Sequence, residues 1–305
     1  MHCILELGGN RMIATALRKL APQARRSDGG NVVSLRPPEA APPAPEALPR
    51  LRTIFISDVH LGTRGCKGEA LAAFLRRHAC ETLYLVGDIV DGWRLKRSWY
   101  WRPAHTEVIQ EILRKAQNGT RVIFIPGNHD EALRPYAGLN LAGVDVRFEA
   151  VHRTADGRDF LVMHGDYFDG VVRYAKWLAH LGDWAYDIAL WVSERVCDVR
   201  RWLGLPHWSL AAYLKRTVKN AVEYIGRFED AVARETEQRG LDGAICGHIH
   251  HASIRRIGRI LYCNDGDWVE SCTALVETPD GAFEILSATG ETLARERPAR
   301  AMATM

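Results

Sequence analysis

The sequence predicts an α/β fold in which two β-sheets pack into a sandwich with flanking helices. Short apolar runs suited to buried strands alternate with stretches of helical periodicity, which is the pattern of a layered α/β protein. Strand patterns joined by turns follow near the carboxyl end and predict a second sheet. Residues 168–239 interrupt this rhythm with helical periodicity that has one break, at 204–209, so we expect an inserted helical hairpin there.

Each predicted element has its own local signal. Runs rich in β-branched and aromatic residues predict buried strands, at residues 51–57, 82–86, 121–125, 160–163 and 242–246. Helical periodicity predicts helices at about 67–79 and 104–118. Later in the chain, 255–263 carries a turn at Gly258, 271–278 has a strand pattern, and Pro279-Asp280-Gly281 predicts a hairpin turn into 282–287.

The two ends of the chain differ in composition from the middle. Residues 22–50 hold seven of the thirteen prolines, and such a segment cannot bury enough apolar surface to offset its ordering cost. We therefore expect 1–50 to be a disordered leader, with Met1 or Met12 as the start. We expect a single folded domain over 51–290 and a disordered tail over 291–305.

Bulk composition narrows the class of protein. The formal charge of +3 resides in residues 1–50, and the remainder is balanced, so we expect no nucleic-acid partner. The seven cysteines form no C-x-x-C pair, which indicates reduced thiols in a cytoplasmic protein. No apolar run has the length of a membrane-spanning helix.

Five polar clusters stand where the predicted buried strands end. They are Ser57-Asp58-Val59-His60, Gly87-Asp88-Ile89-Val90-Asp91, Gly127-Asn128-His129-Asp130, His164-Gly165-Asp166 and Gly247-His248-Ile249-His250. Ligands of α/β sheets gather at the carboxyl ends of strands, so the five clusters are expected to converge on one crevice. The glycines allow sharp turns and a close approach of the backbone to a ligand.

The residue types in these clusters favour metal-assisted phosphoester chemistry. Two cations about 3.5–4 Å apart clamp phosphoryl oxygens and acidify water, and a carboxylate can bridge them. Nitrogen and oxygen donors without thiolate favour Mn, Fe, Zn or Co. Cys246 adjoins the fifth cluster, but we interpret it as a buried strand thiol rather than a ligand.

The order of the clusters resembles the calcineurin-like metallophosphoesterase superfamily over about residues 52–275. The resemblance implies a four-layer αββα sandwich and two divalent metal ions, with Mn the first expectation. It implies that one ion is held by Asp58, His60, Asp88 and His250. It implies that the other is held by Asp88 (shared), Asn128, His164 and His248.

Further roles are implied for the neighbouring polar residues. His129 would be the general acid or the charge stabiliser at the leaving group, and Asp91 would orient it. We interpret Asp130 as a helix cap rather than a catalytic residue. Asp166 either supports a ligand or forms a turn, and His251 either only extends the fifth cluster or is a substrate contact.

The sequence also resembles a narrower family, the UDP-2,3-diacylglucosamine pyrophosphatases of lipid A biosynthesis. The similar stretches are Phe55–Gly62 and Tyr84–Asp91, the second followed by Gly92-Trp93. The resemblance implies hydrolysis of UDP-2,3-diacylglucosamine to UMP and 2,3-diacylglucosamine 1-phosphate. One departure is His129, since the best-known members carry Arg there. A phosphodiesterase or phosphatase acting on another nucleotide or lipid therefore stays open, as does a catalytically inactive scaffold on the same fold.

The lid of that narrower family holds acyl chains, and two features of 168–239 bear on this role. Its tryptophans fall near one line of a helix and face either the core or lipid: Trp177, Trp184, Trp191 and Trp202. Basic residues form either a solvated face or a site for a pyrophosphate lipid or an anionic membrane: Arg195, Arg200, Arg201, Lys215, Arg216 and Lys219. Lys215, Lys219 and Asn220 are candidate substrate ligands. We expect at most a peripheral contact with the cytoplasmic face of the inner membrane.

Overall fold

The computed structural model of the chain describes residues 50–168 and 210–297, with side chains from 224 onward in the second range. The predicted leader, up to residue 49, lies outside the described residues. The same holds for residues 169–209 of the predicted lid, including all four of its tryptophans, and for 298–305.

Strands and helices alternate through the first half of the described chain. The strands are β1 (Leu51–Ile56), β2 (Cys80–Val86), β3 (Arg121–Ile125), β4 (Asn140–Leu141), β5 (Val144–Val146), β6 (Ala150–Arg153), β7 (Asp159–Val162), β8 (Gly243–Cys246), β9 (Ser253–Ile257), β10 (Ile260–Asn264), β11 (Thr273–Glu277), β12 (Phe283–Ser287) and β13 (Thr292–Glu296). The helices are α1 (Gly68–Arg77), α2 (Gly92–Arg97), α3 (Pro103–Gln117) and α4 (Leu210–Gln238).

Two sheets form the centre of the fold. The larger has the order β13-β12-β11-β1-β2-β3-β5-β4, and the smaller has the order β6-β7-β8-β10-β9. Strands β1, β2 and β3 run parallel in the first sheet, and β7, β8 and β10 run parallel in the second. The parallel strands of each sheet therefore end along one rim, where the polar clusters follow them.

The facing sides of the two sheets share an apolar core. Phe55 of β1 and Tyr84 of β2 stack with ring centroids 4.9 Å apart. Phe160 of β7 meets Phe283 of β12 at 4.9 Å. All four are buried, and because side chains alternate along a strand, the neighbours of each point to the opposite face.

Helices cover the two outer faces. Leu71 and Phe74 of α1 and Val108 of α3 pack on the outward side chains of the first sheet, such as Ile54. Phe228 and Val232 of α4 pack on the outer face of the second sheet. The layers are therefore helix, sheet, sheet, helix, and the predicted αββα sandwich is confirmed.

The predicted elements agree with the structure within a few residues. The pattern over 255–263 resolves into β9 and β10, which pair antiparallel around Gly258. The short strands β4, β5 and β6 were not predicted, because two to four residues with mixed burial carry no clear period. Helix α4 lies within the predicted insertion, whereas the expected break at 204–209 is outside the described residues. In the described part of the chain, no helix combines the length and apolarity needed to cross a membrane.

The expectation of a disordered tail over 291–305 is wrong for its first part. Residues Thr292–Glu296 form β13, which pairs antiparallel with β12 after a turn at Gly290. The strand was missed because its residues are mostly exposed or half-exposed, so it lacks the apolar run of a buried strand. Its order comes from the backbone ladder and from Glu296, which pairs with Arg158 and Arg256.

A truncation tests whether β13 stabilises the domain. Ending the chain after Gly290 removes the edge ladder and both Glu296 ion pairs. We therefore expect the free energy of unfolding to fall by about 2–3 kcal/mol and the Tm to fall by roughly 5–10 °C. The matched control ends after Arg297 and should melt like the full chain in calorimetry. Equal Tm values for the two truncations would contradict a structural role for β13.

Candidate metal centre

The candidate site lies at the rim where parallel strands of both sheets end. Asp58 and His60 follow β1, whereas Asp88 and Asp91 follow β2. Asn128 and His129 follow β3, and His164 follows β7. His248 and His250 follow β8. The structure thus brings together side chains from five strand ends, as the sequence predicts.

The backbone at this rim is held in a conformation that non-glycine residues rarely adopt. Left-handed φ angles occur at Asp58 (49°), His60 (52°), Asp88 (54°), His248 (71°) and His250 (53°). Such residues cost about 1–3 kcal/mol each and persist where surrounding contacts enforce them. Here, the Asp58 amide donates to Gly87 and the His60 amide donates to Asp88, at 3.1 and 2.9 Å. The loops after β1 and β2 therefore brace each other.

The candidate ligands fall into neighbouring groups. Asp58, His60 and His250 place ligand atoms within 4.8 Å of one another, and so do Asp88, His164 and His248. Asp58 Oδ1 lies 3.1 Å from His250 Nε2, and Asp88 Oδ2 lies 3.4 Å from His164 Nε2. Asp88 also groups with His60 and His129. Asp88 is therefore the carboxylate that lies between the two sets of histidines.

Hydrogen bonds orient these ligand atoms. His164 Nδ1 lies 2.8 Å from the Val86 carbonyl, so it carries a proton and donates, which leaves Nε2 as the nitrogen that faces Asp88. The Ser57 hydroxyl and the His248 amide both donate to Asp58 Oδ2, at 2.5 and 2.7 Å. The other oxygen, Oδ1, is left facing the histidines.

Three buried atoms in the site make no hydrogen bond of good geometry within the described residues, although two of them lie near an oppositely charged group. They are Asp58 Oδ1, Asn128 Oδ1 and His164 Nε2. An unpaired buried polar atom costs about 1–3 kcal/mol, so such atoms call for a partner. Carboxylate, amide oxygen and imidazole are ligands suited to Mn, Fe, Zn or Co. The residues therefore fit the divalent cations that the sequence predicts.

The electrostatics of the site also favour a cation. Burial raises the pKa of Asp58, but His250, His164 and His60 outweigh it and hold that pKa well below the usual range. Burial lowers the pKa of His164, yet Asp88 and Asp58 raise it to about 10. For His250, burial is outweighed mainly by Asp58, which raises its pKa to about 9. The carboxylates thus attract positive charge, as protons or as metal.

His129 lies at the open side of the site. Its Nδ1 is 3.1 Å from Asp91 Oδ2, and its Nε2 is 4.0 Å from Asp88 Oδ2. Asp91 is itself fixed, because it accepts the Arg94 amide at 2.7 Å as the N-cap of α2. The imidazole of His129 packs between Trp93 and His60, with centroid distances of 4.4 and 4.7 Å. A quarter of the His129 side chain is exposed, so it can meet a substrate.

Asp130 was predicted to cap a helix, and this prediction is wrong. Its side chain makes no cap hydrogen bond to the turn that follows. It points inward and accepts the amides of Gly127 and Ile89 at 2.6 and 2.8 Å. Burial, followed by the charge of Asp88, raises the pKa of Asp130 to about 6. Asp130 therefore ties the loop after β3 to the loop after β2, which sequence spacing alone does not reveal.

The other candidates have different settings. Asp166 begins a 3₁₀ turn at Asp166–Phe168 and pairs with Arg134 at 2.5 Å. His251 is exposed and belongs to none of the candidate metal groups. The candidate substrate ligands Lys215, Lys219 and Asn220 lie in α4, and their side chains are outside the described residues. Cys246 is buried in β8, as expected for a strand thiol.

A cavity opens beside the second group of ligands. It has a volume of about 420 Å³, which is within the range of about 300–1,000 Å³ seen for small-molecule sites. His164 and Asp166 line it together with Arg134, Phe148 and Tyr167. The side chains of Phe148 and Tyr167 are largely exposed. The cavity therefore offers space, aromatic surface and charge next to the candidate metal ligands.

Comparison with known proteins agrees with this geometry. Residues 51–252 match the calcineurin-like phosphoesterase family. The chain belongs to this family. It is accordingly a phosphoester hydrolase, and the family implies divalent metal ions at the Asp and His groups.

Similar curated proteins share a narrower name. UDP-2,3-diacylglucosamine hydrolase of Porphyromonas gingivalis is 28% identical, with 72% of this chain and 91% of the relative covered. The enzyme of that name from Aeromonas hydrophila is 32% identical, with coverages of 75% and 95%. Its namesake from Xanthomonas campestris is 28% identical, with coverages of 76% and 97%.

Gly127 tests how tightly the ligand loops pack. A Cβ at this position would lie 2.3 Å from Asp88 Oδ1 and 2.7 Å from His164 Nε2. Gly127→Ala is therefore expected to displace both side chains, so that bound metal measured by mass spectrometry falls at least severalfold. Gly226→Ala in α4 is the control, because no heavy atom lies within 4 Å of its added Cβ. A Gly127→Ala protein with the parental metal content would contradict the close packing of Gly127 against Asp88 and His164.

Proposed function

We propose that the chain is a dinuclear-metal phosphoesterase, with Asp88 shared by both metal ions. The observation that carries this proposal is that Asp88 lies within reach of two separate histidine groups. Asp58, His60 and His250 would complete one site, and Asn128, His164 and His248 the other. When bound, two such ions supply Lewis-acid stabilisation of the phosphoryl oxygens and a more acidic water near neutral pH.

His129 is proposed to donate a proton to the leaving-group oxygen. Its Nδ1 is turned toward Asp91, and its Nε2 lies on the side of Asp88. Asp91 would favour the charged imidazole and hold its ring, since carboxylates commonly orient catalytic histidines in this way. The partial exposure of His129 supports this role, because a general acid must come within hydrogen-bond reach of the substrate.

The proposed substrate is UDP-2,3-diacylglucosamine, cleaved to UMP and 2,3-diacylglucosamine 1-phosphate in lipid A biosynthesis. Support comes from relatives named for this hydrolysis that align over most of their length. The cavity beside His164 gives room for part of a nucleotide sugar. We further propose that residues 168–239 hold the acyl chains, that Mn is the preferred metal, and that contact with the inner membrane is peripheral.

A second candidate is a phosphodiesterase or phosphatase that acts on another nucleotide or lipid. The observation in its favour is His129 itself, which stands where the best-known UDP-2,3-diacylglucosamine pyrophosphatases carry Arg. A guanidinium keeps its charge and binds phosphate with two hydrogen bonds. An imidazole can instead transfer a proton near neutral pH. At this position, the chain therefore offers a pyrophosphate a proton donor instead of a permanent charge with two hydrogen bonds.

A substrate panel tests the proposal. Purified chain with added Mn would be assayed on UDP-2,3-diacylglucosamine, simple nucleotide diesters and phospholipids, with Asp88→Ala as the metal-deficient control. We expect the highest kcat/KM on UDP-2,3-diacylglucosamine and loss of both metal and turnover in Asp88→Ala. A higher kcat/KM on a simple nucleotide diester would contradict the proposed substrate and support the phosphodiesterase. Full turnover by metal-stripped Asp88→Ala would overturn the metal mechanism.

The role of His129 predicts a dependence on the leaving group. His129→Ala should retain its metal but lose about 10²–10⁴-fold in kcat on poor leaving groups, and much less on activated aryl esters that need no protonation. The measurement is kcat over a series of aryl phosphodiesters of graded leaving-group pKa. An equal loss across the series would indicate charge stabilisation instead of proton transfer.

A further inference from the structure

One surface segment outside the ligand groups combines aromatic and basic residues without any acidic one. Residues 93–102, here called the aromatic–basic segment, comprise most of α2 and the stretch leading to α3. Their sequence is Trp-Arg-Leu-Lys-Arg-Ser-Trp-Tyr-Trp-Arg. Four tryptophan or tyrosine residues and four cations thus occur within ten residues of a chain whose charge beyond residue 50 is balanced.

The aromatic side chains of this segment divide into anchored and exposed ones. Trp101 is half-buried and donates its indole N–H to Thr106 Oγ1 at 2.9 Å. Tyr100 lies beneath the Arg64 guanidinium, 5.3 Å from ring centroid to Cζ. Trp99 stacks on Trp101 at 6.1 Å but remains 64% exposed, and Trp93 is 43% exposed. The fold therefore fixes the base of the segment and leaves a large indole in solvent.

The cations of the segment are likewise available. Arg94, Lys96 and Arg97 are exposed, and none of them makes an ion pair within the described residues. Arg102 differs, because it pairs with Glu69 at 2.8 Å. Exposed tryptophan beside uncompensated cations indicates an interaction surface rather than a solvated loop.

We propose that the aromatic–basic segment docks on a phospholipid bilayer that contains anionic lipid. Tryptophan and tyrosine concentrate at the membrane–water interface, where an indole is half in contact with apolar chains. Lysine and arginine place their alkyl stems along apolar surface and their charges at the headgroups. Each cation near an anionic surface strengthens binding roughly fivefold. Charge complementarity and the exposed indole both fit this partner.

A single-stranded nucleic acid is the alternative partner for aromatic and basic residues. Such ligands are bound along a basic groove that follows several nucleotides. The cations here are confined to a helix of six residues and the short stretch that leads to α3. A compact patch of this kind fits a planar headgroup layer better than an extended strand.

The position of the segment links membrane binding to the metal centre. Asp91 caps the first turn of α2 and also lies 3.1 Å from His129 Nδ1. A bilayer against α2 would therefore lie beside the open side of the site. The use of this arrangement in catalysis rests on the proposed lipid substrate, whereas the binding of the segment to a bilayer does not. The segment is also separate in sequence from residues 168–239.

Vesicle sedimentation with the full chain tests the docking surface. The probes are phosphatidylcholine vesicles with and without phosphatidylglycerol. Lys96→Glu with Arg97→Glu should weaken binding to the anionic vesicles by at least about 25-fold, since two cations are lost. Trp99→Ala should weaken it severalfold. Arg121→Glu with Arg234→Glu is the control of equal charge change, because both arginines are exposed and lie outside the segment. The control should bind like the parent.

The outcomes separate this inference from the proposed function. Every variant should hydrolyse a soluble aryl phosphodiester at the parental rate, which verifies folding and the site. Parental vesicle binding by the Lys96→Glu, Arg97→Glu protein would overturn the docking surface, as would equal binding of the parent to neutral vesicles. Retention of oligo(dT) without vesicle binding would assign the segment to nucleic acid instead.

Discussion

The structure depends on keeping two carboxylates, Asp58 and Asp88, charged beneath the surface. Both are buried, and both have their pKa held low by histidines rather than by water. Burying a charge is costly unless it is paired, so the surrounding chain is organised around these two groups. His164 and His250 face them from the second sheet, and Asp58 Oδ1 lies 3.1 Å from His250 Nε2.

The sandwich explains how ligands so distant in sequence reach this point. Parallel strands of both sheets end on one rim, and their loops brace each other through backbone hydrogen bonds and through Asp130. Glycine at 127 and 247 lets backbone approach the two carboxylates, because a Cβ at either position would collide with them. Left-handed backbone at Asp58 and Asp88 is the local cost of aiming these side chains inward.

The sequence predicts the layers and the convergence of the candidate ligands because both leave short-range signals. Apolar runs such as 121–125 mark buried strands, and polar clusters after them mark the rim. Asp130 was misjudged because an acidic residue before a turn usually caps it, and only the folded chain brings the Ile89 amide to it. The strand β13 was missed because its order comes from pairing with β12 rather than from apolar residues. The packing of Trp93 against His129 likewise depends on the start of α2 meeting the loop after β3.

Anomalous scattering from crystals grown with Mn tests the central claim most directly, because it locates each ion independently of activity. The account predicts two peaks on either side of Asp88, about 3.5–4 Å apart. One should lie against Asp58, His60 and His250, and the other against Asn128, His164 and His248. A single peak, or two peaks that do not share Asp88, would contradict the proposed dinuclear centre.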